Sequence, residues 1–224
     1  MSTRLREGVW WIDATGVNAY LLEHEGTLSL IDTGTPLDAR RVRAAIENAG
    51  FGIDDLDRVL LTHYDIDHVG SLGRLPTDVR IYIGRGDAPY LLGETRPPWR
   101  SIKGITQRVT GPFVPDVSGV RITPVSDGEA IGGFVAYHTP GHTPGHTVYV
   151  HEAKSVAFLG DLVIELNGGL RPAPWFLSYG PDRLRRSVRA FSSRSPPFEA
   201  AAMGHGTPVS RNGDRLLDAL ARSF

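Results

Sequence analysis

The stretch LLTHYDIDHVG, residues 60–70, sets His63, Asp65, Asp67 and His68 within six consecutive positions. Imidazole nitrogen and carboxylate oxygen are ligands for zinc, iron and manganese. Three other places carry the same chemistry. HTPGHTPGHT, residues 138–147, holds His138, His142 and His146 at four-residue intervals; FLGD ends on Asp161; MGHG presents His205 between glycines. The chain has no cysteine, which excludes disulfides, thiolate ligands and a cysteine nucleophile. Any metal here is held by nitrogen and oxygen. Four ligand groups in one loop, with more elsewhere, exceed the needs of one four-coordinate site and point to two metals.

Such groups need rigid platforms, and the surrounding residues supply them. RVLLTH is a short apolar run that reads as a buried strand, with His63 at its end. SVAFLGD and EAAAMG are strands that deliver Asp161 and, one residue beyond the second, His205; GGFVAYHT and HTVYVHE flank the three-histidine segment. VWWID, NAYLLEHE, TLSLIDTG, VRIYIG and RITPV complete the strand set. Helices are expected over LDARRVRAAIENAGF, where Leu37 or Val42, Ile46 and Ala49 recur on one face. HVGSLGRLP reads as a short helix, PDRLRRSVRAFSSR as one burying Leu184, Val188 and Phe191, and NGDRLLDALARSF as a closing one. Strands and helices thus alternate in two similar halves. Two mixed sheets facing each other with helices outside would bury these faces. Residues 84–118, rich in proline and glycine, read as an irregular, lid-like insertion in a single domain spanning 1–224.

With 224 residues and 41% hydrophobic content the chain can bury a substantial core. A net charge of −1 gives no overall attraction to nucleic acid or to an acidic membrane. No apolar stretch approaches the roughly 20 residues of a membrane span, and the first residues lack a signal peptide's apolar core. The expectation is a cytoplasmic protein acting on a small molecule, with no nucleic acid or membrane partner; the oligomeric state is not read. Arg96, Arg100, Lys103 and Arg108 form a local basic excess expected to be solvated, as are the five arginines between Arg183 and Arg194. His24 and His151 are expected to be exposed. Trp99, Trp175, Phe176 and Tyr179 fall in irregular segments that could face a substrate.

These motifs, together with LIDTG at 30–34, resemble the metallo-β-lactamase superfamily, whose pattern is His-x-His-x-Asp-His, a later histidine, a bridging aspartate and a final histidine. The resemblance runs from about Asn18 to Pro208. It implies an α/β fold, an αβ/βα four-layer sandwich of two mixed β-sheets with the metals at one edge. It further implies that His63, Asp65 and His142 hold one metal, that Asp67, His68 and His205 hold a second, and that Asp161 bridges them. His146 would stand behind as support, and Asp32 would orient the loop backbone. One position departs from the pattern: Asp65 occupies the place of its second histidine. A third carboxylate makes the site more neutral and more suited to harder ions. The implied cofactors are two divalent ions, zinc first, with manganese or iron as alternatives. The implied reaction is hydrolysis of an ester, lactone or thioester, with Asp67, His68 and Asp161 catalytic. A phosphodiesterase, a di-iron or mono-iron redox enzyme, and a binding module without turnover remain open at this point.

Overall fold

The computed structural model describes residues 2–76, 78–99, 101–117 and 119–224, so Arg100 lies outside the described residues. The first half begins as an antiparallel meander: β1 (Ser2–Arg6), β2 (Val9–Ala14), β3 (Val17–His24) and β4 (Thr27–Ile31). Helix α1 (Ala39–Asn48) then crosses to β5 (Leu56–Leu61), which pairs parallel with β4. The short α2 (Ile66–Val69) follows, and β6 (Arg80–Gly84) adds parallel to β5. After α3 (Ala88–Leu91) and α4 (Ile102–Thr110), β7 (Arg121–Val125) closes a seven-stranded mixed sheet in sequence order.

The second half starts with β8 (Ala130–Ile131), β9 (Phe134–His138) and β10 (Thr147–His151), followed by β11 (Val156–Gly160) and a hairpin of β12 (Val163–Leu166) and β13 (Gly169–Pro172). Helix α5 (Pro181–Arg194), β14 (Ala200–Met203) and α6 (Gly213–Arg222) complete the chain. The second sheet has the order β14-β11-β10-β9-β8, and β14 and β11 run parallel within it.

The two-residue period of the strands separates the layers. In β5, Val59 and Leu61 pack toward α1 while Leu60 faces the other sheet. In β10 and β11, Tyr149 and Phe158 enter the space between the sheets, while Val148, Val150, Ala157 and Leu159 pack with Leu184, Val188 and Phe191 of α5. The order is therefore helix, sheet, sheet, helix, as the alternation of apolar faces predicted. Each large side chain in the middle layer, such as Phe134 or Phe158, contributes about 1.5–3 kcal/mol by leaving water. Among the described residues, no helix is long and apolar enough to cross a membrane.

Three features differ from the sequence reading. STRLR forms edge strand β1, whose polar composition hides it from a hydrophobic-pattern search but suits a sheet margin. The segment read as irregular contains the well-formed helix α4, whose Ser101 hydroxyl caps the Gly104 N–H at 3.0 Å. His151 is buried rather than exposed, edge-on to Phe134 and His24 at 4.9 and 4.8 Å between ring centroids.

A buried carboxylate holds the loops of the two halves together. Asp87, just past β6, accepts from the Tyr64 N–H at 3.3 Å, the Thr143 hydroxyl at 2.5 Å and the Gly145 N–H at 2.6 Å. The close approach depends on glycine: a Cβ on Gly84 would collide with the Gly145 carbonyl oxygen. Burial pushes the Asp87 carboxyl up to about 6, against the opposing pull of its hydrogen bonds to Thr143 and Gly145.

Removing that acceptor leaves three donors without a partner, at about 1–3 kcal/mol each where they stay buried. Asp87→Ala is expected to lose about 3 kcal/mol, or roughly 6–12 °C in thermal midpoint; an unchanged midpoint contradicts the role. The folded carboxyl sits at about 6 against an ordinary 3.8, so the folded state binds the proton more tightly. The cost of charging Asp87 is therefore relieved as pH falls from above 6 toward 4. The stability of the native protein relative to Asp87→Asn should rise over that interval, by at most about 1.4 kcal/mol per pH unit.

Candidate metal centre

The ligand-type residues leave the sheets at the same edge. Thr62 and His63 follow β5, and Asp65 precedes the single turn of α2 that carries Asp67 and His68. His142 and His146 lie in the turn between β9 and β10. Asp161 follows Gly160, which ends β11 at φ +48. A Cβ there would also strike the Thr62 Cβ at 2.7 Å, so glycine satisfies both backbone and space. His205 follows Met203 and Gly204 at the end of β14.

All seven sequence-predicted site residues converge. His142 Nε2 lies 3.1 Å from Asp65 Oδ2 and 3.3 Å from Asp161 Oδ2; His63 Nε2 lies 3.2 Å from Asp65 Oδ2. His205 Nε2 is 3.5 Å from both Asp67 Oδ2 and Asp161 Oδ2, and His68 Nε2 is 3.5 Å from Asp161 Oδ1. Two groups of three have ligand atoms within 4.8 Å of one another: His63, His142 and Asp161, and Asp67, His68 and His205. His138 stays at the exposed end of β9, where it donates to the Pro144 carbonyl.

Hydrogen bonds behind the histidines set which nitrogen faces the centre. The Thr62 hydroxyl donates to Asp32 Oδ2 at 2.7 Å, so it accepts from His63 Nδ1–H at 3.0 Å. His68 Nδ1–H donates to the same Asp32 oxygen at 2.8 Å, and His205 Nδ1–H donates to the Gly16 carbonyl at 2.8 Å. Each of these rings therefore turns Nε2 inward, the arrangement that metal-binding histidines need. The Asp161 N–H donates to His146 Nε2 at 3.1 Å, and His146 Nδ1–H reaches the Thr139 hydroxyl at 2.8 Å. His146 thus props Asp161, and burial keeps it neutral, well below its ordinary pKa.

The buried atoms His63 Nε2, His68 Nε2 and Asp161 Oδ1 have no hydrogen-bond partner within the protein. Orphaned buried acceptors are costly, so these atoms fit a cation. The floor beneath them is a glycine: a Cβ on Gly204 would collide with Asp161 Oδ1 and stand 2.7 Å from His68 Cε1. Burial lowers the His68 and His205 pKa values, but the surrounding carboxylates prevail. Asp32, Asp161 and Asp67 lift His68 to about 9, and Asp161 and Asp67 lift His205 to about 11. This side of the centre calls for positive charge, and Asp67, His68, Asp161 and His205 fit a divalent ion. It is also the open side, with the His205 and Asp67 side chains 32% and 35% exposed.

On the opposite side sits a residue that sequence reasoning assigned to solvent. Lys103 of α4 is only 4% exposed. Its ammonium donates to Asp65 Oδ2 and lies 2.7 Å from His142 Nε2. One helical turn on, the Gln107 amide nitrogen donates to Asp65 Oδ1, and its carbonyl oxygen accepts from the Tyr64 and Tyr179 hydroxyls. Burial and then Lys103 hold His142 down at about 4, so it is neutral. Burial raises the Asp65 pKa, but Lys103 and His63 outweigh it and hold that carboxyl well below its usual range. Arg108, from the same basic stretch, stacks on Trp99 at 4.4 Å. Trp99, Trp175 and Phe176 are exposed. The missed signal was the Lys103–Gln107 spacing of one helical turn.

The chain matches the family model of the metallo-β-lactamase superfamily over residues 12–206. It is 27% identical over 226 residues to the uncharacterized protein YobT of Bacillus subtilis, covering 92% of this chain and 90% of that one. A shorter stretch of 65 residues is 45% identical to ribonuclease Z of Methanopyrus kandleri, covering 29% of this chain and 22% of that one. The crystal structure of BJP-1, a subclass B3 metallo-β-lactamase of Bradyrhizobium japonicum, superposes with a TM-score of 0.71 at 21% identity, covering 100% of this chain and 91% of that one. The last of these speaks to the fold, and the family match spans both sheets except β1 and the start of β2. The chain belongs to the metallo-β-lactamase superfamily, and it is an enzyme of the metallo-hydrolase type.

Proposed function

We propose that the enzyme hydrolyses a small-molecule carboxylic ester, lactone or thioester at a metal centre held by Asp67, His68, Asp161 and His205. The convergence of inward-facing Nε2 atoms on the buried Asp161 carboxylate, His68 toward its partnerless Oδ1 and His205 toward Oδ2, carries this reading. A divalent ion, zinc first and manganese or iron as alternatives, would supply Lewis acidity there, lowering the pKa of water toward about 7 and polarising the carbonyl group whose carbon is attacked. The chain's own groups do the rest. Asp32 and Gly16 hold His68 and His205 in the required tautomer. Asp67, at the open rim, is placed to take the proton that the attacking water gives up and return it to the leaving group.

A cleft of about 790 Å³ lies on the outer side of Tyr64 and Gln107, which separate it from Asp65, with Tyr90, Leu91 and Trp99 among its other walls. The stretch similar to ribonuclease Z favours a second reading, phosphodiester cleavage. Against a nucleic-acid substrate stand the net charge of −1 and the burial of Lys103 against Asp65.

A panel of esters, lactones, thioesters and phosphodiesters, assayed with zinc-, manganese- and iron-loaded enzyme, tests the proposal. Turnover confined to phosphodiesters supports the second reading. Iron-dependent oxygen consumption without hydrolysis contradicts both. His68→Ala and Asp161→Ala are each expected to lower kcat/KM by at least about 100-fold with an unchanged circular dichroism spectrum. Gly204→Ala should displace the Asp161 carboxylate and strip metal from the purified protein; full metal content in that variant contradicts the proposed ligand set.

A further inference from the structure

We propose that Lys103 occupies the position of the first metal, so that the centre is mononuclear, with one divalent ion on Asp67, His68, Asp161 and His205 and a built-in ammonium between Asp65 and His142. This rests on the metal-centre reading given under the proposed function. An imidazole nitrogen without hydrogen has one in-plane lone pair. His142 Nε2 lies 2.7 Å from the Lys103 ammonium, which can only donate, so that lone pair is taken. The same ammonium holds Asp65 Oδ2, and Gln107 holds the other Asp65 oxygen. Two of the three groups that the family pattern assigns to the first ion are thus already bound. Of the atoms in these three groups, His63 Nε2 is left without a hydrogen-bond partner, as is His142 Nδ1 on the far side of its ring.

Charge leads to the same result. One divalent ion and the Lys103 ammonium together match the three facing carboxylates, Asp65, Asp67 and Asp161. A second divalent ion beside the ammonium would leave two positive charges unmatched in a buried space, where charge repulsion is weakly screened. The helix that delivers Lys103 is built for this purpose. Lys103 and Gln107 are the buried face of α4, whereas Ile102, Ile105 and Val109 are exposed. A helix that turns its polar residues inward and its apolar residues outward is not positioned by hydrophobic burial. Its inward face is held by hydrogen bonds at Asp65, His142, Tyr64 and Tyr179.

The proposal is tested by metal stoichiometry. Metal-free full-length enzyme is titrated calorimetrically with zinc, and bound zinc is measured by elemental analysis after desalting. One ion per chain is expected for the native protein and two for Lys103→Met, in which the side chain keeps its length and loses its charge. Asp65→His combined with Lys103→Ala restores the family's ligand type and should also bind two. Two ions in the native protein, or one ion in both folded variants, overturns the role of Lys103 while leaving the hydrolase reading standing. No bound ion in the native protein overturns the hydrolase reading itself, and the present proposal with it. A second measurement needs no variant: native enzyme saturated with manganese should give the electron paramagnetic resonance spectrum of isolated ions. The spectrum of a spin-coupled pair overturns the proposal.

Discussion

Asp161 leaves β11 with 6% of its surface exposed, flanked by four imidazoles. A carboxylate in such a place stays charged only where positive charge surrounds it, because water no longer does so. Much of the molecule answers that constraint. The sheets bring His68, His142 and His205 from three separate strand ends to within 3.5 Å of its two oxygens. Gly204 keeps the floor flat enough for the carboxylate to lie there, and His146 holds its backbone from behind. Farther from the centre, two more buried carboxylates fasten the elements that carry the candidate ligands. Asp32 joins β4 to the ligand loop through Thr62 and His68, and Asp87 joins β6 to the turn that carries His142.

The two sides of the centre solve the charge problem differently. Around Asp67, His68 and His205 the carboxylates outnumber fixed cations, which is why both histidines are driven toward protonation when they are considered without an ion. Around Asp65 and His142 the chain supplies its own cation, and His142 is driven the opposite way. The electrostatic asymmetry follows the difference in access. The side that calls for an external ion opens to solvent through Asp67 and His205, while the lysine-filled side is closed by α4, Gln107 and the two tyrosines.

The layered fold was legible because period-two strands and period-3.6 helices leave plain apolar traces, as at Val59 to Leu61 and at Leu184, Val188 and Phe191. The clustered ligand types were legible because aspartate and histidine are conspicuous at strand ends. Strand β1 was not, since an edge strand can be as polar as STRLR. Lys103 was hidden for a physical reason: Ile102, Ile105 and Val109 make α4 look like a helix that buries its aliphatic face. Its true orientation is dictated by Asp65, which precedes it by 38 residues. The placement of His151 was equally non-local, since Phe134 and His24 come from different sheets.

Asp65 and Lys103 therefore make sense only as a pair. A buried carboxylate next to His63 and His142 requires a nearby cation, and an ammonium reaching the same point without it would stand against imidazoles alone. Desolvating either charge without its partner costs several kcal/mol, whereas the pair is also hydrogen-bonded by Gln107. A histidine at position 65 would remove the charge that draws α4 inward and leave its apolar outer face free to turn toward the core. The identity of one side chain in the HYDIDH loop thus bears on two things at once: the orientation of a helix nearly forty residues downstream, and the number of metal ions that the sheet edge has room and charge to hold.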